Sequence, residues 1–432
     1  MADQPQPPRL KLRTSALRAY TMLGALIVIW LFFQWATIDA NHPYGLFLGA
    51  TNFSKLLQQT AVTGVLAVGM LMVIVTGNID LSVGAVVGLA GGIAAMTQGW
   101  GLAPCLAAGI VVGLVIGAVQ GNLVTYGYAG PVVALVVGLW AAFNGYSLKY
   151  VIGAAILTGL LSARIQKRFG LFASVPAFIV TLGGLQAWRG IILKLTKGAT
   201  IPVELPLFRS LGRDFINQRV GFALALIAIV LIILTNVRRG RARQRHGLQA
   251  VSLASTVVRI LVPSLAIVGF IFLMNKAGGV PIPVIVLVVV ALGGAFLTAN
   301  TTFGRYLYAI GGNPDAARLS GINLKRYILL AFCLMGALAG VASILHTARV
   351  GSASPDAGTL MELDAIASCV IGGTSLMGGR GTVFGAVLGA LILASLDNGM
   401  SLLNVENWAQ YVVKGGVLVA AVGVDMVGRR KS

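Results

Sequence analysis

Between residues 74 and 96 the chain reads IVTGNIDLSVGAVVGLAGGIAAM, a glycine-rich apolar run with Asn78, Asp80 and Ser82 near its start. An amide, a carboxylate and a hydroxyl so close together can cap a helix, contact a polar solute or exchange a proton. No nucleophile with its base and no carboxylate pair is spaced alongside them. His42, His246 and His346 are scattered, so no metal cluster is visible. Cys105, Cys333 and Cys369 lie in apolar runs without paired spacing and read as small core residues. The polar stretch therefore points to passage or gating rather than to bond-making chemistry.

The elements that must position these residues are membrane helices. Hydrophobic residues make up 57% of the 432 positions and charged residues only 10%, against about 25% charged in a soluble domain. Apolar runs of about 17 to 25 residues recur from Tyr20 onward, the length that crosses a bilayer as a helix. Short alternating segments, the mark of an outer-membrane barrel, are too few. The fold class is an all-α polytopic membrane protein with roughly 10–14 transmembrane helices, broken half-helices included. Apolar segments centre from Ile29 to Val419, with two of them near Val137 and Leu157. The first, after Arg9, Lys11, Arg13 and Arg18, lacks a small-residue cleavage site and reads as an uncleaved span rather than a signal peptide.

A net charge of +20 raises the question of nucleic acid. The basic residues instead gather in alternate loops: before the first span, in 238-RRGRARQRH-246, and at Arg429, Arg430 and Lys431. That pattern sets orientation by the positive-inside rule and offers contact with anionic lipid, with no aromatic-interleaved basic face for nucleic acid. Both termini fall on the cytoplasmic side. The expected layout is a cytoplasmic tail over 1–19, one transmembrane domain over 20–428 and a tail over 429–432. An external loop spans about 189–219, and cytoplasmic loops span about 238–259 and 301–325.

A carboxylate at membrane depth costs about 2.5–3.5 kcal/mol on insertion scales, so Asp80 needs compensation. If Gly77 ends one helix and Leu81 begins the next, Asp80 sits as an N-cap, where free N–H groups and the helix dipole favour it. Direct contact with a polar solute is the second reading, and an interfacial carboxylate without a special role is the third. Irregular backbone at this depth is tolerated only inside protein or along a cavity. Glycine ladders at Gly109, Gly113, Gly117 and Gly121, at Gly84, Gly88 and Gly92, and at Gly381, Gly385 and Gly389 bring helices close. Internal packing is favoured for them over subunit contact. A faint echo links 84-GAVVG-88, after the first break, with 385-GAVLG-389, after 372-GGTSLMGGRGT-382. Paired interruptions of this kind point to a transport site.

The cytoplasmic segment 301-TTFGRYLYAIGGNPDAARLSGINLKRY-327 carries a helix signature. Asn313 caps, Pro314 takes the first position, Asp315 to Leu319 follow, and Gly321 stops it. A plain amphipathic connector would show the same pattern.

Three stretches together, 76-TGNIDLSVGAVVGLAGG-92, 311-GGNPDAARLSGI-322 and 371-IGGTSLMGGRGTVFGAVLGALI-392, resemble the inner-membrane permease subunits of sugar ABC importers. This is the group that transports ribose, galactose, arabinose and xylose. The resemblance runs from about Ala61 to Met426. The chain is most similar to the D-xylose permeases, being long and carrying extra segments from about Tyr150 to Pro206.

The resemblance implies a homodimeric, multi-pass permease of the bacterial inner membrane, with its pathway at the subunit interface. Two cytoplasmic ATPase domains would drive it and a periplasmic binding protein would deliver the sugar. Asn78, Asp80, Ser82, Gly372 and Gly373 would belong to pathway or gating segments. Asn313, Pro314, Ala316, Ala317, Arg318 and Gly321 would belong to a coupling helix that docks on the ATPase. The chain has no G-x-x-x-x-G-K-[ST] loop, so no cofactor is expected on it, and ATP would be bound by the partner. Two other readings stand beside this one. An ion-gradient transporter would use Asp80 for coupling. A membrane enzyme would draw on Asp356, Glu362 and Asp364, residues that otherwise read as solvated carboxylates of an outside turn.

Overall fold

The computed structural model describes residues 14–39, 42–127, 134, 137–138, 147–169, 175–245 and 252–430. Helices dominate. Their order begins α1 (Thr14–Ala36), α2 (Ala50–Ile74), α3 (Val83–Met96), α4 (Leu102–Tyr126), α5 (Leu148–Phe169) and α6 (Ala177–Thr196). Then come α7 (Pro206–Arg213), α8 (Gln218–Arg245), α9 (Leu253–Lys276), α10 (Ile282–Asn300), α11 (Thr302–Gly312) and α12 (Pro314–Leu319). Last are α13 (Leu324–Val350), α14 (Met361–Ile371), α15 (Val383–Leu402) and α16 (Asn407–Arg430). Among the described residues, 8 helices are long and apolar enough to cross a membrane, and shorter apolar stretches in α1, α3 and α5 join them. The chain is an all-α polytopic membrane protein. The segment expected near Val137 lies almost wholly outside the described residues.

Burial separates an inner group from a rim. In α2, 78% of the most apolar window is buried, whereas α8 and α9 bury 11% each. Helix α2 is therefore the axis, packed by α13, α10, α14 and α15, with α3 and α4 beyond. Helices α8 and α9 pack on each other and leave Leu226, Leu231, Val262 and Leu265 exposed, as lipid-facing helices must.

The tightest seam joins α4 to α13. A Cβ on Gly113 would fall 2.2 Å from the Gly336 carbonyl oxygen, and one on Gly336 would fall 2.1 Å from that of Gly113. Only glycine permits backbones so near, which is the small-residue packing that lipid-embedded helices rely on. The other two ladders also close internally. Gly84 and Gly88 abut Gly358 and Ala357, while Gly385 and Gly389 abut Gly372 and Ser368.

Helix ends follow local chemistry. The Asn323 side chain accepts from the Arg326 N–H to start α13, and Gly351, at φ 83°, ends it. At about 1.5 Å per residue the 27 residues of α13 span about 40 Å. Its two ends therefore mark the two faces of the molecule: α11 and α12 at one, a small sheet at the other. In that sheet β1 (Ile201–Pro202) pairs antiparallel with β2 (Ser352–Ala353), Ile201 opposite Ala353.

Two expected loop boundaries shift. The basic stretch 238-RRGRARQRH-246 is not a connector over its length, because α8 runs through it to Arg245. Arg is a good helix former, and the basic last turn suits the dipole. Likewise α6 continues past Arg189 to Thr196, and the following connection contains β1 and α7. Arg189 looked like a loop residue because its charge interrupts an apolar run. In the fold it points inward.

Candidate functional site

At the α11–α12 face two interruptions of the helical pattern meet. Helix α2 ends at Ile74, and the chain turns at Gly77, at φ 80°, a conformation that favours glycine. Asn78, Ile79 and Asp80 form no regular structure, and α3 starts at Val83. Fourteen residues of α3 cover only about 21 Å, short of the roughly 30 Å hydrocarbon layer. Helix α3 is therefore too short to cross that layer alone, and the irregular stretch before it carries the buried Asp80 and Ser82.

Asp80 is 3% exposed and Ser82 is fully buried. The Ser82 N–H and Ser82 hydroxyl both donate to Asp80 Oδ1, at 2.9 and 2.7 Å. Gln120 on α4 donates its Nε2 to the Ser82 hydroxyl oxygen at 2.9 Å. A relay of donors thus runs from Gln120 through Ser82 to Asp80. It corrects the simple cap expected at Asp80: the residue in the cap position of α3 is Ser82, and Asp80 closes a turn two residues earlier. Asp side chains favour this i to i+2 bond because it mimics a backbone turn. Asn78 stays local, its amide donating to the Thr76 hydroxyl at 2.9 Å.

The second break, 372–382, is built from backbone. Gly372 ends α14 at a close approach, since a Cβ there would fall 2.3 Å from the Gly385 carbonyl oxygen. Gly373, Gly378 and Gly379 adopt positive φ. The Ser375 N–H donates to the Arg380 carbonyl at 2.9 Å, closing a tight loop. Gly372 and Gly373 serve the turn and the packing, with no side chain to offer a solute.

The breaks touch each other and α11. The Gly379 N–H donates to the Val75 carbonyl at 2.9 Å. Gly311 fills the remaining space, where a Cβ would fall 1.8 Å from the Val75 oxygen and 2.6 Å from the Gly379 nitrogen. Tyr308 on α11 donates its hydroxyl to the Gly381 carbonyl at 2.8 Å. One turn later Asn313 starts α12, its side chain accepting from the Ala316 N–H at 3.0 Å, with Pro314 first in the helix. Gly321, at φ 79°, follows its end. Asn313, Pro314, Asp315, Ala316, Arg318, Leu319 and Gly321 are exposed, Leu319 at 89%. Ala317 is the exception at 4%. Its methyl faces inward and seats α12 on the protein.

Several residues at the site were not visible as such in the sequence. Gln120 sits in an apolar run, and only its position opposite Ser82 gives it a role. The Arg189 guanidinium donates to the Pro355 and Ala357 carbonyls at 2.6 and 2.8 Å, pinning the segment before α14 beside α3. Glu362 is 7% exposed rather than solvated. Asp364 is half-buried and pairs with Lys414, which lies 3.1 Å from Asp364 Oδ1 and 2.8 Å from Asp397 Oδ2. The outside-turn reading therefore fails for Glu362 and Asp364, which sit on α14 inside the bundle, whereas Asp356 is exposed in the turn that precedes it. Among the described residues no group of His, Cys, Asp and Glu is arranged to hold a metal.

Residues 52–422 match the family described as Branched-chain amino acid transport system / permease component. The chain is 40% identical over 424 residues to the xylose transport system permease protein of Escherichia coli (strain K12), covering 98% of this chain and 95% of the relative. It is also 40% identical to the xylose transport system permease protein of Haemophilus influenzae, over 98% of this chain and 99% of that one. The ribose import permease protein of Escherichia coli (strain K12) is 32% identical over 381 residues, 88% of this chain and 87% of the relative. No solved structure matches. With its membrane helices, its paired breaks and this near full-length likeness, the chain belongs to that family of transport-system permease components.

Proposed function

We propose that this protein is the membrane permease of an ATP-driven importer of D-xylose, working by alternating access in the bacterial inner membrane. The sugar follows from the relatives: identity is higher, and coverage fuller, toward the xylose permeases than toward the ribose permease. The mechanism rests on one structural observation, the continuous connection from exposed α12 through α11 to both chain breaks. A nucleotide-binding partner that moves α12 moves the floor on which both breaks rest.

The working assembly is a homodimer with two cytoplasmic ATPase domains and an external sugar-binding protein. Both termini and α12 face the cytoplasm, consistent with the basic last turn of α8 on that side. ATP binds to the partner alone.

Proteoliposomes provide the test. With the ATPase, the binding protein and ATP, labelled D-xylose accumulates; the permease alone, with or without a proton gradient, accumulates none. Uphill uptake by the permease alone would establish an ion-coupled carrier instead. Arg318→Glu or Leu319→Asp reduces sugar-stimulated ATP hydrolysis and uptake at least about tenfold, on the order of 1.4 kcal/mol, while the melting temperature holds.

A further inference from the structure

Helix α8 is longer than the apolar layer it has to cross. It starts at the face of the small sheet, just after α7, whose Gly212 packs on Arg349 near the end of α13. There Gln218 Nε2 donates to the Asn275 carbonyl at 3.4 Å, which holds α8 and α9 level. Exposed cations bound the apolar band of the pair: Arg219 and Lys276 at the sheet face, Arg238 and Arg259 at the face that carries α11 and α12. From Arg219 to Arg238 the chain rises 19 positions with no charge between, about 29 Å in a helix, close to the roughly 30 Å hydrocarbon layer. From Arg238 the helix continues for seven residues to Arg245. That adds about 10 Å, through the depth where phospholipid headgroups lie.

Five arginines stand on this extension, at positions 238, 239, 241, 243 and 245, and all are exposed. Among the described residues none of the five has a hydrogen-bond or ion-pair partner for its side chain. The surrounding sequence offers no counter-charge either: from Phe215 to Pro314 there are nine Lys and Arg and no Asp or Glu. Like charges three or four positions apart on a helix repel, as Arg238 and Arg241, Arg241 and Arg245, and Arg239 and Arg243 do here. The neutralising anions come from outside the chain. We propose that this end of α8 binds the phosphate groups of anionic phospholipids, in the leaflet on the α12 side.

Depth and distribution select lipid over an acidic protein. At about 100° per residue, Arg238, Arg241 and Arg245 share one side of the helix and Arg239 and Arg243 another. A protein partner would meet one of these sides, whereas a layer of headgroups meets both. Each guanidinium presents a planar fork that matches phosphate oxygens two at a time. Helices α8 and α9 bury only 11% of their apolar windows, so lipid reaches the pair from the rim. Orientation of the chain needs only a basic loop; here the charges stand on a helix, at headgroup depth and without partners.

The full-length protein in mixed bilayers of phosphatidylglycerol and phosphatidylcholine gives the test, read as tryptophan quenching by brominated lipid. Val237→Trp reports on the basic end of α8 and Phe222→Trp on the other end; both positions are exposed, and quenching of the parent's own tryptophans is subtracted. At Val237→Trp phosphatidylglycerol should be preferred about fivefold, the value of one arginine at an anionic surface. At Phe222→Trp the two lipids should quench nearly alike. Arg239→Gln combined with Arg243→Gln should at least halve the preference at Val237→Trp. Raising salt to about 0.5 M should do the same with no arginine replaced, which keeps the test open if the double variant fails to insert. No preference at Val237→Trp, an equal preference at both positions, or one indifferent to salt and to the substitutions would overturn the site. If the double variant instead lost the ATPase partner while its lipid preference stayed flat, the arginines would belong to an acidic protein surface and the site would fall.

Discussion

The two chain breaks solve one problem by different means. The first, at Gly77 to Ser82, satisfies its polar groups with side chains and is tied sideways to α4 through Gln120. The second, at 372–382, closes on its own backbone and is tied downward to α11 through Tyr308. One is anchored in the membrane helices and the other to the segment that carries α12. Under the proposed importer mechanism they would have different tasks: the first would hold position within the bundle, and the second would receive displacement from outside it. A direct hydrogen bond, from the Gly379 N–H to the Val75 carbonyl just before the first break, is where the two tasks would meet.

The largest effect should come from breaking that meeting point. Gly311→Val places a branched side chain against two backbones that cannot retreat. Overpacking usually costs about 1–3 kcal/mol and occasionally more; a loss near or beyond about 3 kcal/mol is expected here. Thermal unfolding in detergent reads it. Gly312→Ala, one residue on and with nothing within 4 Å, should leave the melting temperature alone.

Next comes the anchored break. Asp80→Ala leaves the Ser82 N–H buried without an acceptor, at about 1–3 kcal/mol, and transport should fall with stability. Asp80→Asn keeps an oxygen in place and should recover most of both. If Asn proves as damaging as Ala, the negative charge has a task beyond closing the turn.

The smallest effect is the most diagnostic. Tyr308→Phe removes one hydrogen bond to the second break, about 1 kcal/mol in stability. If that break transmits displacement, uptake per ATP hydrolysed falls while ATP hydrolysis continues. A proportional decline of both would make Tyr308 an ordinary packing residue.

The contrast was half legible in the sequence. TGNIDLS announces itself because a carboxylate inside an apolar run needs a partner to offset its cost, and NPDAARLSG spells out a cap, a first-turn proline and a stop. The second break could be placed by its glycines, but its bond to Tyr308 joins residues 73 positions apart. No local pattern encodes such a pairing. Gln120 was hidden for the same reason, and Arg189 was misplaced because an interior arginine and a loop arginine look alike until the carbonyls it serves are located. Asp80 as a cap and Asp80 as a turn look alike in sequence, since both use the same residue types and differ only in which N–H is reached.

The seam between α4 and α13 has a mechanical consequence. Two rods whose main chains rest on each other at Gly113 and Gly336 cannot slide without climbing over a carbonyl. They form a single beam, and its near end grows out of the turn that follows α12. Under the importer reading, a push there would reach the far end of α13 as tilt. An alanine in the seam would force the two main chains apart, loosening the linkage and destabilising the protein together.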